Sequence, residues 1–469
     1  MARKRSNKAV RDALMAGIAI GDFSGGLDNG SDSAYLPLGR ARSMNHCAIQ
    51  YGSLRRADGM QRILHTDASI RTLMKFYPGL ARGTLLYATD RGVFMRREDG
   101  TSQTILSAAE SGIYDYIGYQ VGDTDILIMT NGQGPMRKWD GTTLSPISAA
   151  PKAVAIQLHR ERVWVIPADN PIAVQCSDDL NPENWDLTLE AGALILLPTW
   201  DGTRNTGLKV AFDDILVTKE RSIWKIWGTD PSNYQVSPVF NGRGALANRS
   251  LVMCDNVMPF LSGDAVMVYD GVHAQSLHSH RIEGYLKRIN SAYVKDAAAT
   301  YYNQTYYLAV PLDASSVNNV VLMYHFPTQA WSAREGVVVN DFLEMDGALY
   351  TCDDAGNIYA FDTGDTLDGF PIPAMWQSGV LGAQEPELVM DLRKIRATLS
   401  GTEGGKLAVY YKLDGAREHC TYLPLHAQLC TVEVPIWGRG RLLELRIENV
   451  AGADFNLVML QVRYFALQR

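Results

Sequence analysis

Asp-Gly pairs follow short apolar runs at Asp99, Asp140 and Asp270, with a related Asp-Thr-Gly at Asp362. Spaced carboxylates are the raw material of acid–base chemistry. They are also turn residues, because Asp caps its own turn while Gly takes positive φ. The second use explains the glycines, so these acids are read as turn chemistry. His273, His278 and His280 cluster locally. His-x-His on a strand puts both rings on one face, as a metal site requires. No Cys or carboxylate stands at ligand spacing, and exposed loop positions are expected.

Other patterns reach toward chemistry and stop short. "SDDLNPENW" places Ser177, Asp179 and Trp185 much as a sialidase-type Asp box would. Asn181 occupies the Gly position, the Thr is missing and the Trp comes one residue late. "DFSGGLDNGSDSAYLPLG", from Asp22 to Gly39, has the glycines and hydroxyls of a phosphate loop. It lacks the Lys-Ser/Thr that reaches the phosphates. Pro37 and Gly39 bar the helix that should follow, and Asp28 and Asp32 would repel an anion. Aromatic residues are dense in "NPENWDL", "SIWKIWGTD" and "YYNQTYYLAV". They could form a carbohydrate platform, but packing between strands is favoured. No catalytic residue, metal ligand or cofactor is assigned, and the chain is read as a non-enzyme.

The elements behind these residues are short apolar strands. "LLYATDRGVFMRREDGT" from Leu85 and "ILIMTNGQGPMRKWDGT" from Ile126 share one plan: apolar strand, polar turn, second strand, acid and glycine. The plan recurs from Val163, Ile215, Met258 and Leu349, and in degenerate form from Tyr306. The acids at 99, 140, 270 and 362 are 41, 130 and 92 residues apart. These intervals are one, three and two periods of about forty to forty-six residues, the spacing of β-propeller blades. The expected fold is all-β: a propeller of six or seven blades over residues 41–365, followed by a small antiparallel β-sandwich over 366–469. A Gly/Asp/Pro-rich linker over 362–374 separates them, and residues 1–40 are read as an N-terminal arm. In the sandwich, Leu443, Leu445 and Ile447 alternate with Glu444 and Arg446. One stretch, "HRIEGYLKRIN", has helical spacing at Ile282, Leu286 and Ile289. It predicts a short helix on the propeller rim or at a contact between subunits.

Bulk properties narrow the class. Of 469 residues, 44 are Lys or Arg and 51 Asp or Glu, for a net charge of −7. That balance argues against wrapping nucleic acid or lying on a membrane. The exception is the N-terminal cluster Arg3, Lys4, Arg5, Lys8 and Arg11. No apolar run is long enough to span a bilayer and no signal sequence is recognised, so a soluble protein made in the cytoplasm is expected. The six cysteines have no CxxC spacing and are expected as free, mostly buried thiols. Cys420 and Cys430 could face one another across a hairpin.

The order of motifs resembles a known group. "FSGGLDNGSDSAYLPLGRARSMNHCAIQYGSLRRADGM", "FLSGDAVMVYDGVHAQSLHSHRIEGYL", "YYNQTYYLAVP" and "GRGRLLELRIEN" are similar, in sequence order, to segments of the tail hub or nozzle propellers of short-tailed bacteriophages. The resemblance implies a virion structural protein assembled in the host cytoplasm. Such a protein forms a ring, usually a hexamer, below the portal and adaptor. It lines part of the DNA exit channel, retains packaged DNA and carries spike, needle or fibre proteins. It would meet double-stranded DNA only in passage, bind no membrane and need no cofactor. Assembly contacts are then expected from Arg3, Lys4, Arg5, Lys8 and Arg11 and from Phe23, Gly25 and Gly26. The competing expectation is a carbohydrate-binding or glycan-depolymerising propeller at a tail tip or cell surface.

Overall fold

The computed structural model describes residues 15–79, 81–108, 112–188, 190–198, 202–385 and 387–467. Strand accounts for 54% of the chain and helix for 3%, so the protein is all-β. The apolar runs seen in the sequence are the second strands of successive antiparallel sheets. Thr84–Thr89, Asp214–Lys219 and Thr305–Val310 each bury five consecutive residues. Runs without alternation form where both faces of a strand are covered.

Sheets follow one another along the chain over residues 70–107, 115–146, 153–196, 205–241, 258–276, 298–335 and 341–361. Each is built in chain order, first strand innermost. The sheet over 258–276 has three strands. Its inner place is taken by the segment around Asn248–Ser250, where the Leu246 amide donates to the Leu261 carbonyl at 3.0 Å. The final sheet receives its outer strand from far upstream. Met60–His65 pairs with Asn357–Phe361, matching Asn357 with His65 and Phe361 with Met60.

Neighbouring sheets share apolar cores, and the sharing is circular. Met74 and Leu86 pack with Leu127 and Trp139 of the next sheet. Trp164 and Ile166 pack with Val217 and Trp224 further on. Leu73 and Leu85 of the first sheet pack with Leu343 and Ile358 of the last. A closed cycle of radially stacked sheets is a propeller arrangement, in which each sheet covers its neighbour's faces and only short, protected edges remain.

Two further sheets share another core. One runs Cys47–Gln50, Ser53–Arg56, Phe455–Leu467, Val389–Gly401, Cys430–Gly440, with Ala16–Ile20 also paired to Phe455–Leu467. The other runs Ala41–Asn45, Met375–Ser378, Leu443–Asn449, Lys406–Leu413, His419–Pro424. Their inward residues, among them Ile395, Leu399, Val409, Ile447 and Leu460, belong to one buried cluster. Strand pairing therefore divides the chain differently from the linear boundary at 40/41. Residues 16–20 and 41–56 belong with the C-terminal sheets, because the C-terminal strands leave edges that only these upstream strands cover. The propeller ring begins at Met60.

The helical spacing at Ile282, Leu286 and Ile289 yields only Glu283–Leu286 as α-helix, preceded by a 3-10 turn at Ser279–Ile282. Ile282 is fully buried in the core shared with the C-terminal sheets. Tyr285 donates its hydroxyl to Glu335. The helix is an internal contact of this chain.

Candidate functional site: the propeller axis and an acidic turn face

The Asp-Gly acids cap turns. Asp99 Oδ1 accepts the Thr101 amide at 2.8 Å. Asp140 Oδ1 accepts the amides of Thr142 and Thr143 at 2.8 and 2.7 Å. Asp270 Oδ1 accepts those of Val272 and His273 at 2.9 and 2.7 Å. Donors to the charged form favour it. The backbone bond from Thr143 and those from Thr142 hold Asp140 down to about 2, and Asp99 and Asp270 are lowered for the same reason. Asp362 is different. It is a largely buried ion-pair partner of Arg334, and it accepts the Tyr307 hydroxyl at 2.8 Å.

The other candidates also serve architecture. Among the described residues, no His, Cys, Asp and Glu group is arranged to hold a metal ion. His278 lies parallel to Tyr324, with ring centroids 6.2 Å apart. In the Asp-box-like stretch, buried Arg162 donates to the Ser177 carbonyl at 3.0 Å and faces Asp178 and Asp179 at 3.9 and 3.7 Å. Trp185 is buried and donates to the Pro182 carbonyl. Cys420 and Cys430 lie in different sheets, paired to Tyr410 and Leu399, and both are free thiols.

Arg3, Lys4, Arg5, Lys8 and Arg11 lie outside the described residues. Phe23, Gly25 and Gly26 make contacts within the chain. Phe23 is fully buried, edge-on to Trp376 at 5.4 Å. Gly26 has φ +64 and lies so close to blade residues that a Cβ would stand 2.7 Å from Ala330 Cβ and from the Trp331 carbonyl. A Cβ on Gly25 would meet Arg40 Cγ at 2.5 Å. The Asp22–Gly39 stretch is thus clamped between the propeller and the C-terminal sheets. Asp28 is buried there and pairs with Arg40 at 3.1 Å.

Sequence patterns missed the site at the propeller axis. Inner strands from around the ring converge on a cavity of about 180 Å³ lined by Asp115, Lys209, Arg249 and Asp341, with Tyr116 and Asn248. Asp115 Oδ2 accepts the Ile156 amide at 3.0 Å and Asn248 Nδ2 at 3.1 Å. Asp341 Oδ2 accepts the Leu73 amide at 2.9 Å, and its Oδ1 lies 3.6 Å from Arg249 Nη1. Arg249 also donates to the carbonyls of Arg71 and Asp296 at 3.2 Å. Burial raises Asp115 and Asp341 and lowers Lys209. Charges held this way tie distant sheets together across the axis. These residues are spread over more than 200 positions, from Asp115 to Asp341, so no local motif could reveal them.

The meander topology also sorts charge between the two ends of the propeller. Turns joining first to second strands, and third to fourth, emerge at one end; second-to-third turns and the links between sheets emerge at the other. The first-to-second turns carry Asp123, Glu161, Asp213, Asp255 and Asp346. The third-to-fourth turns carry Glu98, Asp99, Asp140, Asp230 and Asp270, and the loop over 177–192 adds Asp178, Asp179, Glu183, Asp186 and Glu190. Arg82, Arg97 and Arg160 are the basic residues among these turns. Most of the acids are exposed. Such a face repels phosphate and attracts cationic surfaces.

No protein-family profile matches the chain, and no curated protein matches it. Solved structures similar to it include virginiamycin B lyase from Staphylococcus aureus, with 9% identity over 64% of this chain and 98% of that one, at TM-score 0.41. The Neurospora crassa Pan2 WD40 domain has 11% identity over 65% and 94%, at TM-score 0.40. BamB from Moraxella catarrhalis has 13% identity over 66% and 98%, at TM-score 0.38. The propeller arrangement of this chain stands on its own strand order and shared cores.

Proposed function

We propose that this chain is a structural component of a short-tailed bacteriophage tail, a hub or nozzle subunit that forms rings and carries distal tail parts. In this reading the ring of sheets is a seven-bladed propeller and the two remaining sheets are a β-sandwich fused to its side. The observation that carries the reading is a double closure by the N-terminal region. Met60–His65 closes the propeller, while Ala16–Ile20 and residues 41–56 complete the sandwich. Separating the two modules would require breaking both closures, as suits a part that must bear load.

The acids that the sequence singles out support the same reading, since Asp99, Asp140 and Asp270 cap turns and Asp362 pairs with Arg334. The axial cavity of about 180 Å³ is crossed by side chains. A DNA conduit would therefore run between copies of the chain and not through a propeller axis. Exposed acids along such a conduit would let phosphates slide past without binding.

Negative-stain imaging of the purified full-length chain tests the proposal. Closed rings or knob-like stacks are the expected result. A persistent monomer that binds or cleaves glycans would overturn it in favour of the carbohydrate reading.

A further inference from the structure

The strand Val389–Gly401 carries a cationic surface on a protein that is acidic overall. Its inward residues Leu392, Ile395, Ala397 and Leu399 are buried. Its outward residues are set by register. Lys394 stands between Arg463 and Pro435, Arg396 between Gln461 and Glu433, and Asp391 between Phe465 and Arg439. Arg393 occupies the bulge between Leu392 and Lys394 and lies over the Phe465 ring at 5.1 Å. This outer face thus holds Arg393, Lys394, Arg396, Arg439 and Arg463 against Asp391 and Glu433. Exposed Trp437 (67%) and Met459 (43%) lie in the same sheet, on the flanking strands.

We infer that this face docks on the acidic turn face of a second copy of the same chain, a head-to-tail contact that rests on the ring-forming reading above. Charge complementarity selects the occupant. The chain carries −7 overall while this face is positive, so the remainder of every copy is more acidic than the whole. That acidity is concentrated on the turn face, and densest in the 177–192 loop. Each side also offers apolar anchors: Trp437 and Met459 on one, exposed Leu180 and Leu187 on the other. The two surfaces belong to different parts of the molecule, so the contact is heterologous and propagates into a ring or a filament. Its formation should fall steeply with ionic strength.

Complementation between neutralised variants tests the contact. One variant carries Arg393→Gln, Arg396→Gln and Arg439→Gln; the other carries Glu98→Gln, Asp123→Asn, Asp186→Asn and Glu190→Gln. These acids are exposed, and circular dichroism checks that both variants fold. In sedimentation velocity at low salt, each variant alone should self-associate at least about tenfold more weakly than the parent. An equimolar mixture should form dimers and stop there, since one intact pair of faces remains. Self-association unchanged in both variants overturns this contact while leaving a ring-forming protein in place. A parent that never self-associates at low salt overturns both readings. Binding of a short DNA duplex by the parent, lost only in the arginine variant, overturns the docking and assigns the face to nucleic acid.

Discussion

His46 shows how a single residue can be stabilising in one protonation state only. It is 1% exposed at φ 48, and its Nε2–H faces the Glu335 carbonyl at 3.0 Å. Burial is the main reason its pKa is lowered, to about 4. The unfolded chain binds this proton near pH 6.5, well before the native state does. The contribution is therefore full above about pH 6.5 and is lost as pH falls through about 4, amounting to roughly 3 kcal/mol. Urea unfolding of the parent and of His46→Asn, which tolerates positive φ, should give a stability difference that shrinks between pH 7 and pH 4. A pH-independent difference would contradict the assignment. Arg334 follows another logic. It is buried with Asp362 and lies over the Phe361 ring at 4.8 Å. Its role is to neutralise a carboxylate that the fold has taken out of water.

The lead-in segment shows what an element can owe to one glycine. Leu27 donates its amide to the Trp331 carbonyl at 2.7 Å, and Ala41 donates to the Gly26 carbonyl at 2.8 Å. This ladder requires Gly26 at φ +64 against blade backbone. Gly26→Ala is expected to cost about 2 kcal/mol or more, combining left-handed strain with a displaced backbone. Gly100→Ala is the control, since Gly100 has φ +83 but open space around it. It should cost about 1 kcal/mol, and thermal unfolding of the pair would reverse the argument if the control proved worse. The turns between first and second strands follow a related rule. Arg160 and Glu161, Phe212 and Asp213, and Asn303 and Gln304 all have positive φ. Such paired left-handed residues match the twist of a two-residue hairpin, and here side-chain residues accept that strain without glycine.

At the scale of the whole molecule, the N-terminal strands hold two closures at once. A chain beginning at Thr66 lacks the outer strand of the last propeller sheet and four strands of the C-terminal sheets. It should expose long unpaired edges and aggregate. Adding a separate fragment of residues 15–65 during refolding should restore a soluble monomer-sized complex. Size-exclusion chromatography reads the outcome, and a soluble, folded 66–469 chain would show that neither closure matters.

The sequence by itself determined the local grammar of this protein. Periodic apolar runs and Asp-Gly turns predicted strands, turn caps and a blade-length repeat, because strand formation and turn capping are settled within a few residues. Alternation at Leu443, Leu445 and Ile447 likewise predicted one buried face. What only the tertiary structure decided was pairing over long separations. Met60–His65 joins residues about 300 positions away. Phe23, in the stretch read as an N-terminal arm, is buried against Trp376. The axial quartet of Asp115, Lys209, Arg249 and Asp341 exists only because a closed ring brings its inner strands to one axis. Its members carry no mutual spacing in the sequence, and the free energy that places them comes from apolar cores between sheets and not from the charges themselves.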